Sequence, residues 1–150
     1  MTLPSVKVIA PGLMTVKVSP AGTARVLVAQ GPGPLDPGYP AAVALSGHRV
    51  VAVIGGQLVY ADPASAGHKL SVVGITPGAA NAGEIARPVS SGQMDEPGWA
   101  WVPGLPVYAG TLGTLTQTPP GPPGWLRIVG VAQTSTRLLV AMREPITQGE

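Results

Sequence analysis

Apolar and polar positions alternate along this chain in runs of about five or six residues, and proline or glycine ends each run. "VKVIA" (6–10) stops at Pro11-Gly12, "LMTVKV" (13–18) at "SPAG", and "ARVLVA" (24–29) at "QGPGP". Val16 and Val18 flank Lys17, and Val26 and Val28 flank Leu27, the period of two that belongs to strands. In Pro11-Gly12 and Pro20-Ala21-Gly22, proline presets φ and glycine supplies φ > 0, so these are turns. The pattern predicts a small β meander over 1–29.

"QGPGPLDPGYP" (30–40) holds four prolines and three glycines. Each proline lacks a ladder donor, so the segment cannot lie inside a sheet and reads as a semi-rigid linker. Glycine does not keep every third position, which excludes a collagen helix.

The remaining unit, 41–150, contains an internal echo. "VVAVIGGQLVYADP" (50–63) lies over "VYAGTLGTLTQTPP" (107–120), matching Val50 with Val107, Gly56 with Gly113, Leu58 with Leu115 and Pro63 with Pro120. Downstream, "LSVVGIT" (70–76) lies over "LRIVGVA" (126–132) with one residue lost in the loop. Each copy reads strand, Gly-rich turn, strand, Pro-bearing loop, then a strand with an internal glycine. The echo predicts two similar β units around an approximate two-fold, with Gly74 and Gly130 at equivalent bends or close backbone approaches. "DPASAGH" (62–68) predicts one helical turn capped by Asp62. "EIARPVSSG" (84–92) predicts an edge strand, and "WLRIVGVAQ" and "RLLVAMREPI" a closing hairpin around "TST". The fold class expected is all-β: an N-terminal meander plus a compact β-sandwich or barrel with an internal pseudo-repeat.

Composition sharpens this. With 21 glycines, 18 prolines and no phenylalanine, the core must be built from small aliphatics. At roughly 25 cal/mol per Å² of buried apolar area, such a core is lean, and burial against further copies would add most. A homo-oligomer is expected, a trimer ahead of a dimer. The absence of cysteine excludes disulfides and Cys-based zinc sites. The nine Lys and Arg are spread along the chain without a cluster, so no phosphate-neutralising face is expected and nucleic acid is not an expected partner. Pro4 and Lys7 interrupt the N-terminus where a signal peptide needs an apolar segment, and no run reaches membrane-spanning length. No membrane association is expected, and synthesis is expected in the cytoplasm.

Candidate chemistry is sparse. His48 and His68 lack the companions that zinc requires. Asp95 and Glu96, adjacent in extended chain, point to opposite sides rather than into one site. Ser46 in "ALSGH" lacks a nucleophile-elbow frame, and "GPGP" lacks the helix and lysine of a phosphate loop. A non-enzyme without cofactor or metal is expected. Trp99 and Trp101, two apart, offer either a sugar-stacking platform or packing bulk, and packing within or between subunits is the stronger reading. The residues expected to serve oligomer packing are Trp99, Trp101, Val107, Tyr108 and Trp125.

The stretches "GHRVV", "ADPASAGH…VVGIT", "WAW" and "VGVAQTSTRLLV…EPI" resemble a domain of tailed-bacteriophage structural proteins, found in capsid decoration or cement, head-fibre and tail-fibre proteins. The likeness covers roughly 41–146 and implies a compact, self-associating β domain on a virion surface. A chain this short fits a decoration protein or short head fibre that binds the major capsid protein. The alternative is a tail-fibre, receptor-binding or carbohydrate-binding module. In fibre-type relatives the place of residues 1–40 is often taken by an attachment segment, which implies capsid contact through Val6, Val8, Leu13, Val16, Val26 and Val28.

Overall fold

The computed structural model describes residues 37–149 and, before them, the backbone of two strands. The chain divides into two units, Met1–Asp36 and Pro37–Glu150. In the first, β1 (Val6–Ala10) pairs antiparallel with β2 (Gly12–Val16), setting Val6 opposite Val16 and Ile9 opposite Leu13. The predicted strand over 24–29, with Val26 and Val28, lies outside the described residues.

The second unit is built from strands β3 (Tyr39–Pro40), β4 (Val50–Ile54), β5 (Gln57–Tyr60), β6 (Val72–Ile75), β7 (Ile85–Ala86) and β8 (Ser91–Asp95). Strands β9 (Pro106–Ala109), β10 (Leu115–Thr116), β11 (Gly124–Leu126), β12 (Ile128–Ala132), β13 (Arg137–Ala141) and β14 (Ile146–Gln148) follow. Only two single 3-10 turns interrupt them among the described residues, Ala66–His68 and Thr111–Gly113. The architecture is mostly β. The sheets do not close into a barrel: a five-stranded sheet runs β10-β9-β12-β13-β8 and a three-stranded one β5-β4-β6, with pairs β3-β7 and β11-β14 at the margins.

The echo seen in the sequence is a structural repeat. In each copy the first strand sits centrally between the second and third: β5-β4-β6 and β10-β9-β12. Val51 pairs with Gly74 and Ala52 with Val72, skipping Val73 in a bulge. Val107 pairs with Gly130 and Tyr108 with Ile128, skipping Val129 in the same way. The first strands therefore match one residue away from the sequence alignment: Val51, not Val50, occupies the place of Val107. The slip arises in the hairpins. β4 and β5 join through the two-residue turn Gly55-Gly56, while β9 and β10 join through a longer loop containing the Thr111–Gly113 turn. Gly74 and Gly130 do occupy equivalent close approaches, where an added Cβ would lie 2.7 Å from the Val89 carbonyl oxygen and 2.3 Å from that of Leu139.

The copies are not arranged as the two-fold expected. The larger core takes Val50, Ala52, Val72 and Ile75 from one face of the first copy, and Val107, Ala109 and Val129 from the opposite face of the second. Two-fold symmetry would bring equivalent faces together, whereas this arrangement stacks the copies head to tail. The other face of the first copy, carrying Val51 and Leu58, meets Ala41, Leu45, Ala80 and Ala86 in a smaller core. This explains "VVAVI": β4 is buried on both sides and loses the alternation of a half-exposed strand.

Other expectations shift. Tyr39 and Pro40, placed in the linker by composition, pair with Ala86 and Ile85, and the two-residue strand accommodates the proline. The segment 84–92 divides between β7, a bridge at Val89 and the start of β8. "WLRIVGVAQ" breaks at Arg127, so that β11 pairs with β14 while β12 forms the expected hairpin with β13. The helical turn in 62–68 starts later than Asp62, whose Oδ1 instead accepts the Ala64 N–H at 3.0 Å.

Candidate functional site

The loop between β8 and β9 carries both tryptophans between two Pro-Gly turns, Pro97-Gly98 and Pro103-Gly104. Glu96 folds the first turn, accepting the Gly98 N–H on Oε1 at 3.0 Å and the Trp99 N–H on its carbonyl at 3.0 Å. The loop is tied to the β12–β13 turn: Glu96 N–H donates to Thr136 O at 3.0 Å and Trp101 N–H to Ser135 O at 2.8 Å. Both indoles are half-buried and pack on the larger core, with ring centres 5.5 Å apart and planes inclined by 52°. The inclination denies a sugar a common flat platform. The rings of His48 and Trp99 meet in a T-shaped contact with centres 5.2 Å apart, and His48 Nδ1 lies 3.5 Å from Glu96 Oε2. Trp101 Nε1 is buried without a hydrogen-bond partner.

His48 stands in the left-handed region, at φ 57°. The repeat explains why. His48 N–H donates to Thr76 O at 2.7 Å and Thr76 N–H to Arg49 O at 2.8 Å. In the second copy Gly104 N–H donates to Ala132 O at 2.7 Å and Ala132 N–H to Leu105 O at 3.1 Å. Gly104 has φ 83°, so the shared backbone requires a positive φ at this position. The second copy meets the requirement with glycine, whereas the first bears a strain of roughly 1–3 kcal/mol with histidine, and gains the contacts to Trp99 and Glu96. Thr76, fully buried, completes the corner: Oγ1 donates to Ser46 O at 2.7 Å and accepts the Arg49 N–H at 3.0 Å.

Of the residues expected to serve oligomer packing, Trp125 and Val107 belong to the chain's own core, at 1% and 0% exposure. Trp125 joins the copies, its Nε1 donating to Ser65 O at 2.9 Å. Trp99 and Trp101 are half-buried at the corner, and Tyr108 is half-buried on the outer sheet face. The attachment candidates Val6, Val8, Leu13 and Val16 lie on the β1–β2 hairpin.

The acidic neighbours diverge, Asp95 pairing with Arg137 at 2.7 Å and Glu96 with His48. The bond to Asp95 raises the Arg137 pKa above its usual value. His68 Nδ1 accepts the Asp62 N–H at 3.2 Å. Among the described residues no group of three or more His, Cys, Asp or Glu could hold a metal ion, and no helix is long and apolar enough to cross a membrane. Sequence reading missed the partnership of His48 with Glu96. The two Pro-Gly pairs around "WAW", which turn that loop back, were the available signal. No protein-family model and no curated protein matches this chain.

Proposed function

We propose that this chain is a non-enzymatic structural protein of a tailed-bacteriophage virion: a capsid decoration or cement protein, or a short head fibre. It binds the major capsid protein through the N-terminal unit and self-associates through the second unit at the capsid surface.

The observation that carries the reading is where the resembling stretches fall. "GHRVV" supplies His48 and Arg49, "VVGIT" supplies Thr76, "WAW" supplies Trp99 and Trp101, and "VGVAQTSTRLLV" supplies Ser135 and Thr136. All of these meet at one corner through backbone hydrogen bonds and ring contacts. Parts of each resembling stretch thus come together in one tertiary corner, which supports a likeness in construction. Proline-rich loops suit an extracellular particle, since each compatible proline stabilises the fold by roughly 0.4–1 kcal/mol by lowering the unfolded chain's entropy. Weak individual contacts suffice when many copies share one shell.

The test is sedimentation with virions of the phage that carries the chain. The full chain is expected to co-sediment in stoichiometric, symmetric copy number. A form lacking residues 1–35 is expected to stay folded and remain in the supernatant. Full binding by the shortened form would refute the division of labour, and no binding by either would refute the virion role.

A further inference from the structure

The head-to-tail stack has two ends, and they differ. Beyond the first copy, Ala41, Leu45, Ala80 and Ala86 close the smaller core. Beyond the second copy no core cluster of the described residues does the same. The face of the first copy made by Val50, Ala52, Val72 and Ile75 corresponds by register to Pro106, Tyr108, Ile128 and Val131 in the second. In the first copy that face lies under the second copy, with Val50, Ala52 and Ile75 at 0% exposure. In the second copy it is the outer surface, with Val131 at 38% and Leu139 beside it on β13 at 37%.

The pattern across this surface is that of an interface. Its middle strands β9, β12 and β13 present the apolar residues just named, with Arg137 at the start of β13 on the same face, paired to Asp95 at the sheet edge. Its edges are polar, with Thr116 on β10 and with Ser91, Gln93 and Asp95 on β8. Apolar centres with polar rims mark association surfaces. Of the other exposed large apolar residues, Leu70 and Ile146 lie on separate elements, while Val102 and Leu105 share the loop that leads into β9.

We propose that this outer face docks against the same face of a second copy of the chain across a two-fold axis. The repeat identifies the occupant, since the fold already buries the equivalent face under another β module of its own kind. The closed end fixes the symmetry. Head-to-tail extension would need the first copy's other face, which the smaller core occupies, so a self-matching contact remains. The result is a closed pair rather than the three-fold assembly expected from the sequence.

Five strands about 4.8 Å apart, the longest of them 5 residues at about 3.3 Å each, make a face of roughly 300 Å², below the ~800 Å² per partner of a standard interface. The pair is therefore weak in dilute solution and fills where copies are concentrated on a surface. This deepens, and rests on, the self-association in the proposed function.

Sedimentation equilibrium of the full chain, from about 1 µM to about 1 mM, tests the proposal. The expected result is a reversible monomer–dimer equilibrium whose dissociation constant rises at least about tenfold in Leu139→Glu and in Val131→Glu. Leu70→Glu, elsewhere on the surface, is expected to leave it unchanged. Circular dichroism and thermal melting check that each variant keeps its fold. Because the chain has no cysteine, Val131→Cys carries a unique nitroxide label. Stacked sheets lie about 10 Å apart, so paired labels are expected to show strong dipolar coupling. The proposal is overturned by a chain monomeric at every concentration, the outcome if its own N-terminal segment covers the face. A trimer, or a dimer indifferent to both glutamates, overturns it equally. Virion binding is read separately: a dimer that binds no virions sinks the virion role alone, and a virion-binding monomer sinks this proposal while leaving the virion role standing.

Discussion

The two copies of the β repeat share a backbone plan and differ in what covers them. In the first copy, β4 has Val50, Val51 and Ala52 all fully buried, one face on each core. In the second, β9 buries Val107 and Ala109 and leaves Pro106 and Tyr108 half-exposed on the outside. Residues at corresponding positions therefore carry unequal energetic weight. What decides a strand residue's contribution is the layer above it rather than its place in the ladder.

The largest difference is expected between Ile75 and Val131, which hold corresponding places in the third strand of each copy. Ile75 is fully buried, and Ile75→Ala is expected to cost about 3–4 kcal/mol, transfer and cavity together. Val131 is 38% exposed, and Val131→Ala is expected to cost less than about 1 kcal/mol to the monomer. Urea unfolding at low protein concentration measures both. Equal losses would mean that the outer face is already covered within one chain.

A second contrast uses the hairpin glycines that the sequence aligns. Both need positive φ, 80° at Gly56 and 72° at Gly113. A Cβ at Gly56 would meet nothing within 4 Å, whereas at Gly113 it would lie 2.2 Å from the Val50 carbonyl oxygen. Gly56→Ala is expected to cost about 1 kcal/mol from conformation alone. Gly113→Ala must also push the second copy's turn off the first copy's strand, for at least about 3 kcal/mol. The same denaturation experiment decides it. If the two glycines tolerate alanine equally, the turn does not bear on β4.

Strands were legible where a run carried its own pattern, as "VVAVI" and "RLLVA" do. β8, "SGQMD", was not, because only Met94 reaches the core and the strand is specified by its pairing with β13. β14 depends in the same way on β11. The repeat itself was legible, but its geometry was not. One extra residue in the second hairpin moves every first-strand match by a place, and in a strand one place exchanges the faces. That exchange separates a two-fold from a head-to-tail stack, and hence determines which surface is left open. At the corner, the packing role of Trp99 and Trp101 could be read from their bulk in a chain without phenylalanine. The left-handed histidine could not, because the signal is a glycine in the other copy.

The smallest contrast concerns a clamp that both copies possess in different chemistry. Tyr60 OH accepts the Ser46 N–H at 2.8 Å, holding the segment before β4. At the matching place before β9, Gln117 accepts the Val102 N–H on Oε1 and donates from Nε2 to Val102 O, both at 2.9 Å. Tyr60→Phe is expected to cost about 1 kcal/mol at neutral pH, as is Gln117→Ala. Only the first copy's clamp titrates. The Ser46 side chain beside it, then the Ser46 N–H and the Arg49 charge, lower the Tyr60 pKa from 10.0 against the opposing effect of burial. Between the lowered value and about 10, the unfolded chain holds a proton that the folded chain has released, so stability rises with pH across that window. Subtracting the pH profile of Tyr60→Phe from that of the native chain should isolate this small rise, and Gln117→Ala should retain it. A flat difference would mean that the phenol is not held by Ser46, leaving Gln117 as the one functioning clamp of the pair.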